Sequence, residues 1–201
     1  MHELTLTPEA AEHRRSSHGI MPLFLNRWSP RSFTSETVRE EDLMACFEAA
    51  RWAPSSYNEQ PWRFIFARKE ADLVRFRSCL VEFNRLWADR APVLVAVCAS
   101  RRFTASGEDN RHFAFDTGAA WALLALEAAR RGLSAHGMAG FDGERAKDIL
   151  NVPDGYDVMC FVALGHRGER NVLPEKMQRL EAPNRRKALN TMVYEASFPD
   201  E

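Results

Sequence analysis

The sequence predicts an α+β fold, in which helices flank a modest sheet within one domain. Two continuous runs of apolar, largely β-branched residues, 92–98 and 157–164, are typical of strands that are covered on both faces. Segments 38–52 and 113–129 instead repeat apolar residues at helical intervals. The chain has no internal repeats and no low-complexity tracts. We therefore expect a single layered domain rather than a repeat protein or a bundle.

The composition limits the function. The 201 residues, 45% of them hydrophobic, are enough to build the core of one domain. The chain has 27 lysines and arginines and 28 aspartates and glutamates, which gives a net charge of -1. No overall field therefore attracts the protein to nucleic acid or to an anionic membrane. An anionic ligand must therefore be bound by a local cluster of charges.

The cysteines and the N-terminus indicate the compartment. The four cysteines lack a CxxC pair and lie among apolar neighbours, which predicts small buried side chains in a reducing compartment. The N-terminus has no apolar core of a signal peptide, and no later run is long enough to span a bilayer. We expect a soluble, cytoplasmic protein. The cysteines are Cys46, Cys79, Cys98 and Cys160.

Residues 1–20, the N-terminal arm, precede the domain predicted for 21–201. The arm mixes charges with His2, His13 and His18. Histidines spaced this widely are more typical of solvated side chains than of metal ligands. We expect a partly helical arm that lies over the surface or over a partner subunit and binds no metal.

Residues 27–31, the arginine segment, predict a compact anion site. Arg27, Ser29 and Arg31 alternate along backbone that Pro30 keeps out of the helical region. Alternation points all three side chains to one side. Two guanidiniums that flank a hydroxyl suit a phosphate, because arginine offers planar, forked donors. The alternative is two exposed arginines on a loop.

A polar ledge follows the first long helix. The capping-box spacing of residues 37–40 predicts the start of that helix, which runs to Trp52 and is stopped by Pro54. Two prolines limit the backbone of the ledge, so its hydroxyls and amides lose little freedom on binding. We expect a hydrogen-bonding surface, or alternatively a helix C-terminal turn that caps its neighbours. The polar ledge is Pro54-Ser55-Ser56-Tyr57-Asn58-Glu59-Gln60-Pro61-Trp62.

The middle of the chain alternates strands and helices. Residues 62–67 alternate large apolar side chains like a strand, and 71–80 return to helical spacing. Asn84 falls in a short polar break. The run 92–98 predicts the central strand of the sheet, and 100–110 predicts a polar loop or lid.

Residues 113–129 predict a helix that is apolar nearly all round and is ended by Gly132. Such a helix needs cover on several sides. A second subunit would bury these sides, which predicts an obligate homodimer. The alternative, a long core helix in a monomer, is equally consistent with the sequence. Phe113 and Phe115 are expected in the core rather than in a ligand pocket.

Two glycines bracket residues 137–140, directly after a short predicted strand at 133–136. Their backbone is able to approach a flat ligand closely. A helix from Phe141 to Leu150 and the buried strand 157–164 follow. The tail then carries a basic cluster at 185–187.

The common enzymatic motifs are missing from the sequence. It has no GxGxxG after a first strand, no GxxxxGK[ST], no GxSxG and no HExxH, so the Rossmann, P-loop, α/β-hydrolase and zincin classes lack their characteristic residues. Three kinds of candidate binding group remain. They are arginines that suit a phosphate, amides and hydroxyls that suit a polyol and a ring edge, and a glycine-bracketed backbone that suits a ring face. Together they suit flavin mononucleotide (FMN).

Five motifs stand in order along the chain: Arg27-x-Ser29-x-Arg31, Ala53-Pro54-Ser55-Ser56-x-Asn58-x-Gln60-Pro61-Trp62, Ala91-Pro92, Gly137-Met138-Ala139-Gly140-Phe141-Asp142 and Leu164-Gly165-His166-Arg167. In this order they resemble the motif series of the nitroreductase family of FMN-dependent oxidoreductases. The resemblance covers residues 21–195, and the motif at 53–62 is its most specific part. It implies an intertwined α+β homodimer with a central, mostly antiparallel sheet and two FMN sites between the subunits.

The resemblance also assigns the cofactor site. The arginine segment and a tail arginine would hold the phosphate and ribityl end; Arg186 is preferred, and Arg185 stays possible because Ala188 departs from the family pattern. The polar ledge would come from the partner subunit. Asn84 would meet the pyrimidine edge, and 138–140 would lie along the ring. The implied cofactor-binding residues are Arg27, Trp28, Ser29, Arg31, Pro54, Ser55, Ser56, Asn58, Gln60, Asn84, Met138, Ala139, Gly140, Gly165, His166 and Arg186.

The activity implied by the resemblance is hydride transfer from NAD(P)H through FMN to an electron-poor small molecule, such as a nitroaromatic or a quinone, in ping-pong order. The cofactor carries this chemistry, so no catalytic side chain and no metal is assigned. Two alternatives remain. One is a flavin-binding protein without turnover, whose arm or lid blocks the nicotinamide. The other is a dimeric structural protein, which would be colourless when purified.

Overall fold

The computed structural model describes residues 5–199, so His2 and the other terminal residues lie outside the described residues. Within that range, the chain alternates helices with four strands. The strands are β1 (Trp62–Ala67), β2 (Val93–Ser100), β3 (Ser134–Met138) and β4 (Tyr156–Gly165). The helices are α1 (Pro8–His13), α2 (Pro22–Asn26), α3 (Glu40–Arg51), α4 (Glu70–Arg77), α5 (Glu82–Ala88), α6 (Phe113–Arg130), α7 (Gly143–Leu150) and α8 (Glu175–Gln178).

The four strands form one antiparallel sheet in the order β1-β2-β4-β3. The register pairs Trp62 with Ala99, Val95 with Val162 and His136 with Ala163. Strand β2 is therefore central, as its continuous apolar run predicts. Strands β1 and β3 are the two edges. The predicted α+β fold with a central antiparallel sheet is confirmed.

Helices cover both faces of the sheet because β2 is apolar on both sides. Val93, Val95 and Val97 share a core with α3 and α6. Leu94 and Ala96 share a second core with α4, α5 and α7 on the opposite face. Every one of these five β2 residues is at most 2% exposed. The site described below lies at the edges of this three-layer core.

The capping box predicted at 37–40 is wrong. Helix α3 begins at Glu40, and its N-cap, Arg39, makes no side-chain capping bond. Three acidic residues in the first turn interact favourably with the helix dipole instead. The Arg39 side chain binds Asp42 within the same turn. A favourable charge pattern therefore takes the place of the side-chain cap.

The polar break predicted around Asn84 is also wrong. Asn84 lies within α5 and is 8% exposed, because its side-chain amide is satisfied by a hydrogen bond to the carbonyl of Gly140. Strand β3 runs to Met138, two residues beyond the predicted end at His136. Gly137 pairs with Val162 in the sheet, and the Trp121 ring lies 3.2 Å from where its Cβ would be.

Helix α6 buries one side and leaves other apolar side chains exposed. Ala120, Leu124 and Ala128 are fully buried, whereas Phe115 is 81% exposed. The expectation that Phe115 belongs to the core is wrong for this chain. Its exposure leaves an aromatic surface at the start of α6, which is typical of an interface.

The four cysteines are free thiols. Burial raises the pKa of Cys46 and Cys160 to about 12 and that of Cys98 to about 11. They behave as the packing residues that the sequence predicts. Among residues 5–199, no helix is both long and apolar enough to cross a membrane.

Candidate functional site

The arginine segment lies against the edge strand β3. Its backbone leaves the helical region at Arg27, directly after α2. His136 of β3 places its imidazole Nδ1 2.9 Å from the carbonyl oxygen of Pro30. Arg27 Nη1 lies 3.5 Å from Ser29 Oγ, so these two side chains share a side as the alternation predicts. The segment is therefore fixed at the edge of the sheet.

Two buried charged side chains hold the backbone of the segment from other parts of the chain. Glu181 of the tail, 2% exposed, accepts from the backbone N–H of Arg31 at 2.8 Å and of Ser32 at 3.0 Å. Arg14 of the N-terminal arm donates to the carbonyls of Leu25 and Arg27 at 2.8 and 2.7 Å. Backbone that is held by Glu181, Arg14 and also His136 loses little freedom when its side chains bind a ligand.

Arginine side chains collect at this point without an ion-pair partner among the described residues, since the buried carboxylate of Glu181 binds only backbone N–H groups here. Within residues 5–199, Arg14, Arg27 and Arg186 form no ion pair. Burial, and then the charge of Arg186, lowers the pKa of Arg27. Arg31 Nε is buried and has no hydrogen-bond partner in the described part of the chain. An unsatisfied buried donor among unpaired guanidiniums fits an anion such as a phosphate.

His136 stays uncharged beside these arginines. Burial lowers its pKa to about 4, and the charges of Arg31 and Arg27 act in the same direction. The neutral ring donates from Nδ1 to the Pro30 carbonyl. Its other neighbour is Trp87 of α5, with ring centroids 4.5 Å apart. The imidazole therefore acts as a neutral link between the arginine segment and β3.

Asn84 and Gly140 meet one helical turn from Trp87. Asn84 Nδ2 donates to the Gly140 carbonyl at 2.9 Å, and the backbone N–H of Val81 donates to the same oxygen at 3.2 Å. A Cβ on Gly140 would lie 2.8 Å from both Asn84 Nδ2 and Val81 Cγ2. Only glycine allows this approach. Met138 is 2% exposed, so the exposed Ala139 and the half-buried Gly140 are the parts of 138–140 that are open to a ligand.

Gly165, His166 and Trp28 lie near the end of β4. A Cβ on Gly165 would lie 2.6 Å from Pro92 Cδ, so close packing alone accounts for glycine there. The His166 carbonyl accepts from the Thr34 N–H at 3.0 Å, which joins the backbone after the arginine segment to the end of β4. The guanidinium of Arg167 lies 4.7 Å from the centroid of the Trp28 ring.

The polar ledge lies at the other edge of the sheet, immediately before β1. Tyr57, Asn58 and Gln60 have φ angles of 51°, 56° and 53°. Three left-handed residues other than glycine in one short segment are uncommon and require firm support. Asp116 of α6, 4% exposed, accepts from the Ser56 N–H at 3.0 Å, and Ser55 Oγ accepts from the Gln60 N–H at 3.0 Å. The ledge is thus held in an unusual conformation with Tyr57 93% exposed.

One chain therefore contains two separate half-sites. The arginine segment, Asn84, Gly140 and Arg186 lie on the side of β3 and α5, whereas the polar ledge lies beside β1. Strands β2 and β4 lie between these two edges. The sequence reasoning missed Arg14, His136, Glu181 and Asp116. These residues support the binding residues through backbone contacts, for which a single sequence carries no local motif.

Comparison with known proteins identifies relatives of this chain. A family model described as the nitroreductase family matches residues 25–85 and 69–166. A relative named NADH dehydrogenase from Thermus thermophilus is 30% identical over 179 residues, which cover 72% of this chain and 85% of the relative. A crystal structure described as an oxidoreductase containing FMN is 37% identical, with a TM-score of 0.89, and covers 94% of this chain and 97% of that one.

A more distant structural match agrees on the fold. A nitroreductase family protein from Clostridium difficile is 20% identical, with a TM-score of 0.69, and the match covers 88% of this chain and 97% of that one. At this identity the similarity concerns the arrangement of helices and strands only.

Proposed function

The chain belongs to the nitroreductase family, and on this premise we propose that it is an FMN-dependent oxidoreductase. It would transfer hydride from NAD(P)H through FMN to an electron-poor small molecule, such as a nitroaromatic or a quinone, in ping-pong order. The related structure that contains FMN and the relative named NADH dehydrogenase support this assignment.

The observation that carries the proposal is the unpaired arginine cluster. A buried guanidinium is costly unless a partner offsets its charge. The side chains of Arg27 and Arg31 form no ion pair among the described residues, and Arg31 Nε has no acceptor there. The phosphate of FMN would supply both. We assign Arg27, Ser29, Arg31 and Arg186 to this end of the cofactor.

The rest of the cofactor would be held by two chains. Asn84, Ala139 and Gly140 would contact the ring from the chain that provides the arginines. Ser55, Asn58 and the other polar atoms of the ledge would come from a second copy, since the sheet separates the two half-sites of one chain. We therefore propose a homodimer with two sites between the subunits. The exposed Trp52, Tyr57 and Phe115 (71%, 93% and 81%) support an interface at the ledge.

Bound FMN would supply the redox chemistry, accepting hydride from the nicotinamide and releasing it to the acceptor. The residues of this chain would bind the cofactor and orient it. Asn84 fixes the Gly140 carbonyl and so the backbone on which a ring would rest. His136, neutral and tied to Pro30, keeps the arginine segment in place without adding a charge that would repel Arg27 and Arg31.

The phosphate assignment is tested by a double substitution, Arg27→Ala with Arg31→Ala. Removal of two charge-assisted contacts, each worth about 1.5–3 kcal/mol, should weaken FMN binding by two orders of magnitude or more. The flavin absorbance of the purified protein measures this. Arg90→Ala with Arg179→Ala, which removes two exposed arginines elsewhere, is the matched control. Unchanged flavin content in the first variant would refute the assignment.

Turnover is tested separately on the wild-type protein. Anaerobic addition of NADH or NADPH should bleach the flavin absorbance, and a quinone or nitroaromatic added next should restore it. If neither nicotinamide bleaches a bound flavin, the protein is a flavin-binding protein without turnover. A colourless protein that takes up no added FMN would instead support the structural alternative.

A further inference from the structure

The N-terminal arm is fastened to the arginine segment at several points. Asn26 Oδ1 accepts from the Thr7 N–H at 2.9 Å, and Asn26 Nδ2 donates to the Thr5 carbonyl at 2.8 Å. Glu9 of α1 forms an ion pair with Arg167, whose guanidinium stacks on Trp28. These contacts join the arm to the residues on either side of Arg27. The described part of the arm is thus built into the anion site.

Arg14 is the central contact between the arm and this site. It is 7% exposed, and its guanidinium donates only to backbone carbonyls, those of Leu25 (2.8 Å), Arg27 (2.7 Å) and Asn184 (3.0 Å). One side chain therefore holds together the arm, the arginine segment and the tail that carries Arg186. Nη2 has no hydrogen bond to any described residue.

Arg14 forms no ion pair with a described residue. Burial, and then the charges of Arg186 and Arg27, lowers its pKa to about 10. Three carbonyl dipoles satisfy donors, but they do not neutralise a guanidinium that lies beside two others. A dianionic phosphate at this point would do so. A side chain that served only to hold backbone segments together would not need to add a third positive charge to those of Arg27 and Arg186.

We propose that Arg14 is a positioning residue of the FMN phosphate site: it fixes the backbone of Arg27 and Asn184 and completes the positive cluster, so that the N-terminal arm is part of the cofactor site. This inference rests on the proposed function. It predicts that Arg14 contributes to the affinity for the phosphate group specifically, and hence discriminates FMN from riboflavin, which has the same ring and ribityl chain without the phosphate.

The experiment compares FMN and riboflavin binding by wild-type protein, Arg14→Gln and Arg15→Gln after bound flavin has been removed by dialysis. Flavin fluorescence gives each dissociation constant. We expect Arg14→Gln to weaken FMN by about tenfold to a hundredfold while riboflavin changes less than about twofold. Arg15 is the exposed neighbour of Arg14, so Arg15→Gln should change neither constant. Equal losses for both flavins, or no loss for FMN, would overturn the proposal.

A second measurement needs no variant and decides the matter if Arg14→Gln does not fold. Trypsin cleaves after Arg14 and Arg15, so the rate of this cleavage reports how firmly the arm is held. We expect FMN to slow the cleavage in wild-type protein and riboflavin at equal occupancy to slow it far less. Equal protection by the two flavins contradicts a role at the phosphate, as does an absence of protection by FMN.

The outcomes separate this inference from the proposed function. If wild-type protein binds neither flavin, the proposed function fails and the role of Arg14 fails with it. If wild-type protein prefers FMN to riboflavin and Arg14→Gln keeps the same preference, the FMN site stands and only the role of Arg14 is lost.

Discussion

The imidazole Nδ1 of His136 and the carbonyl oxygen of Pro30 lie 2.9 Å apart, and this contact joins the edge strand β3 to the arginine segment. The imidazole is held neutral, because it is buried against Trp87 and faces Arg31 and Arg27. A proton added to the ring would place a third positive charge between two guanidiniums. Protonation is therefore unfavourable at this position, although it leaves the donor to the Pro30 carbonyl in place.

We expect His136 to make the wild-type protein lose stability between pH 6.5 and pH 4. Its pKa is about 4 in the folded chain, below the ordinary value of 6.5, so the unfolded chain binds the proton more readily in this range. The contribution of neutral His136 to the free energy of unfolding is fully present above pH 6.5 and is lost as the pH decreases. The loss at pH 4 is on the order of 3 kcal/mol. Urea unfolding at several pH values measures it.

The matched variant is His136→Asn, whose amide nitrogen takes about the place of Nδ1 and keeps a donor for the Pro30 carbonyl. Because asparagine does not titrate, the free energy of unfolding of this variant should fall less than that of the wild type as the pH decreases from 7 to 4. Other groups titrate in both proteins and cancel in the difference. Parallel pH profiles for the two proteins would show that His136 is not the group concerned.

Gly140→Ala should weaken both the fold and flavin binding. The added Cβ would meet Asn84 Nδ2 and Val81 Cγ2 at 2.8 Å, which forces α5 away from the 138–140 backbone. Overpacking of this kind costs about 1–3 kcal/mol. Thermal unfolding and flavin titration measure the two effects. Gly155→Ala is the control, since nothing lies within 4 Å of its Cβ, and equal behaviour of the two variants would contradict this account.

Much of the fold is predictable from the sequence because its core is encoded locally. The run 92–98 has apolar residues on both faces, and this alone indicates a central strand with helices on either side. The start of α3 is not predictable in the same way. Residues 37–40 have the spacing of a capping box, yet the acidic first turn that begins at Glu40 stabilises the helix by its charge.

The candidate site is less predictable, because its supporting contacts span long distances in sequence. Glu181 reaches the backbone of Arg31 across 150 residues, and His136 reaches Pro30 across 106. Neither side chain lies in a motif of its own. Asn84 has a polar side chain that suggests a break in the helix, and only its bond to Gly140, 56 residues away, explains its place inside α5.

We expect Asp42→Asn to destabilise the contact between α3 and α6. Asp42 accepts from Arg39 Nε at 2.7 Å and, also at 2.7 Å, from Nη1 of Arg131, the C-cap of α6. Its hydrogen bond with Arg39, and then that with Arg131, lowers its pKa to about 2, below the ordinary value of 3.8. The carboxylate therefore stabilises the fold above pH 4, and this stabilisation is lost as the pH falls towards 2.

The difference in melting temperature between wild type and Asp42→Asn should be constant above pH 5 and should shrink between pH 4 and pH 2. Glu108→Gln, an exposed acidic loop residue that forms no ion pair with a described residue, is the control and should change little at any pH. A difference that persists unchanged at pH 2 would mean that the charge of Asp42 is not responsible.

The proposed dimer is tested at Phe115. This side chain is 81% exposed and precedes Asp116, whose carboxylate holds Ser56 of the polar ledge. Burial of such a ring in an interface is worth about 1.5–3 kcal/mol, and an aspartate there would bring an unpaired charge instead. We expect Phe115→Asp to elute as a monomer in size-exclusion chromatography with light scattering. It should also lose FMN, because the ledge then has no arginine segment of a second chain to face.

Val74→Asp alters a half-exposed apolar residue on α4, so it should leave both the dimer and the bound FMN unchanged. A Phe115→Asp protein that stays dimeric and yellow would place the interface elsewhere.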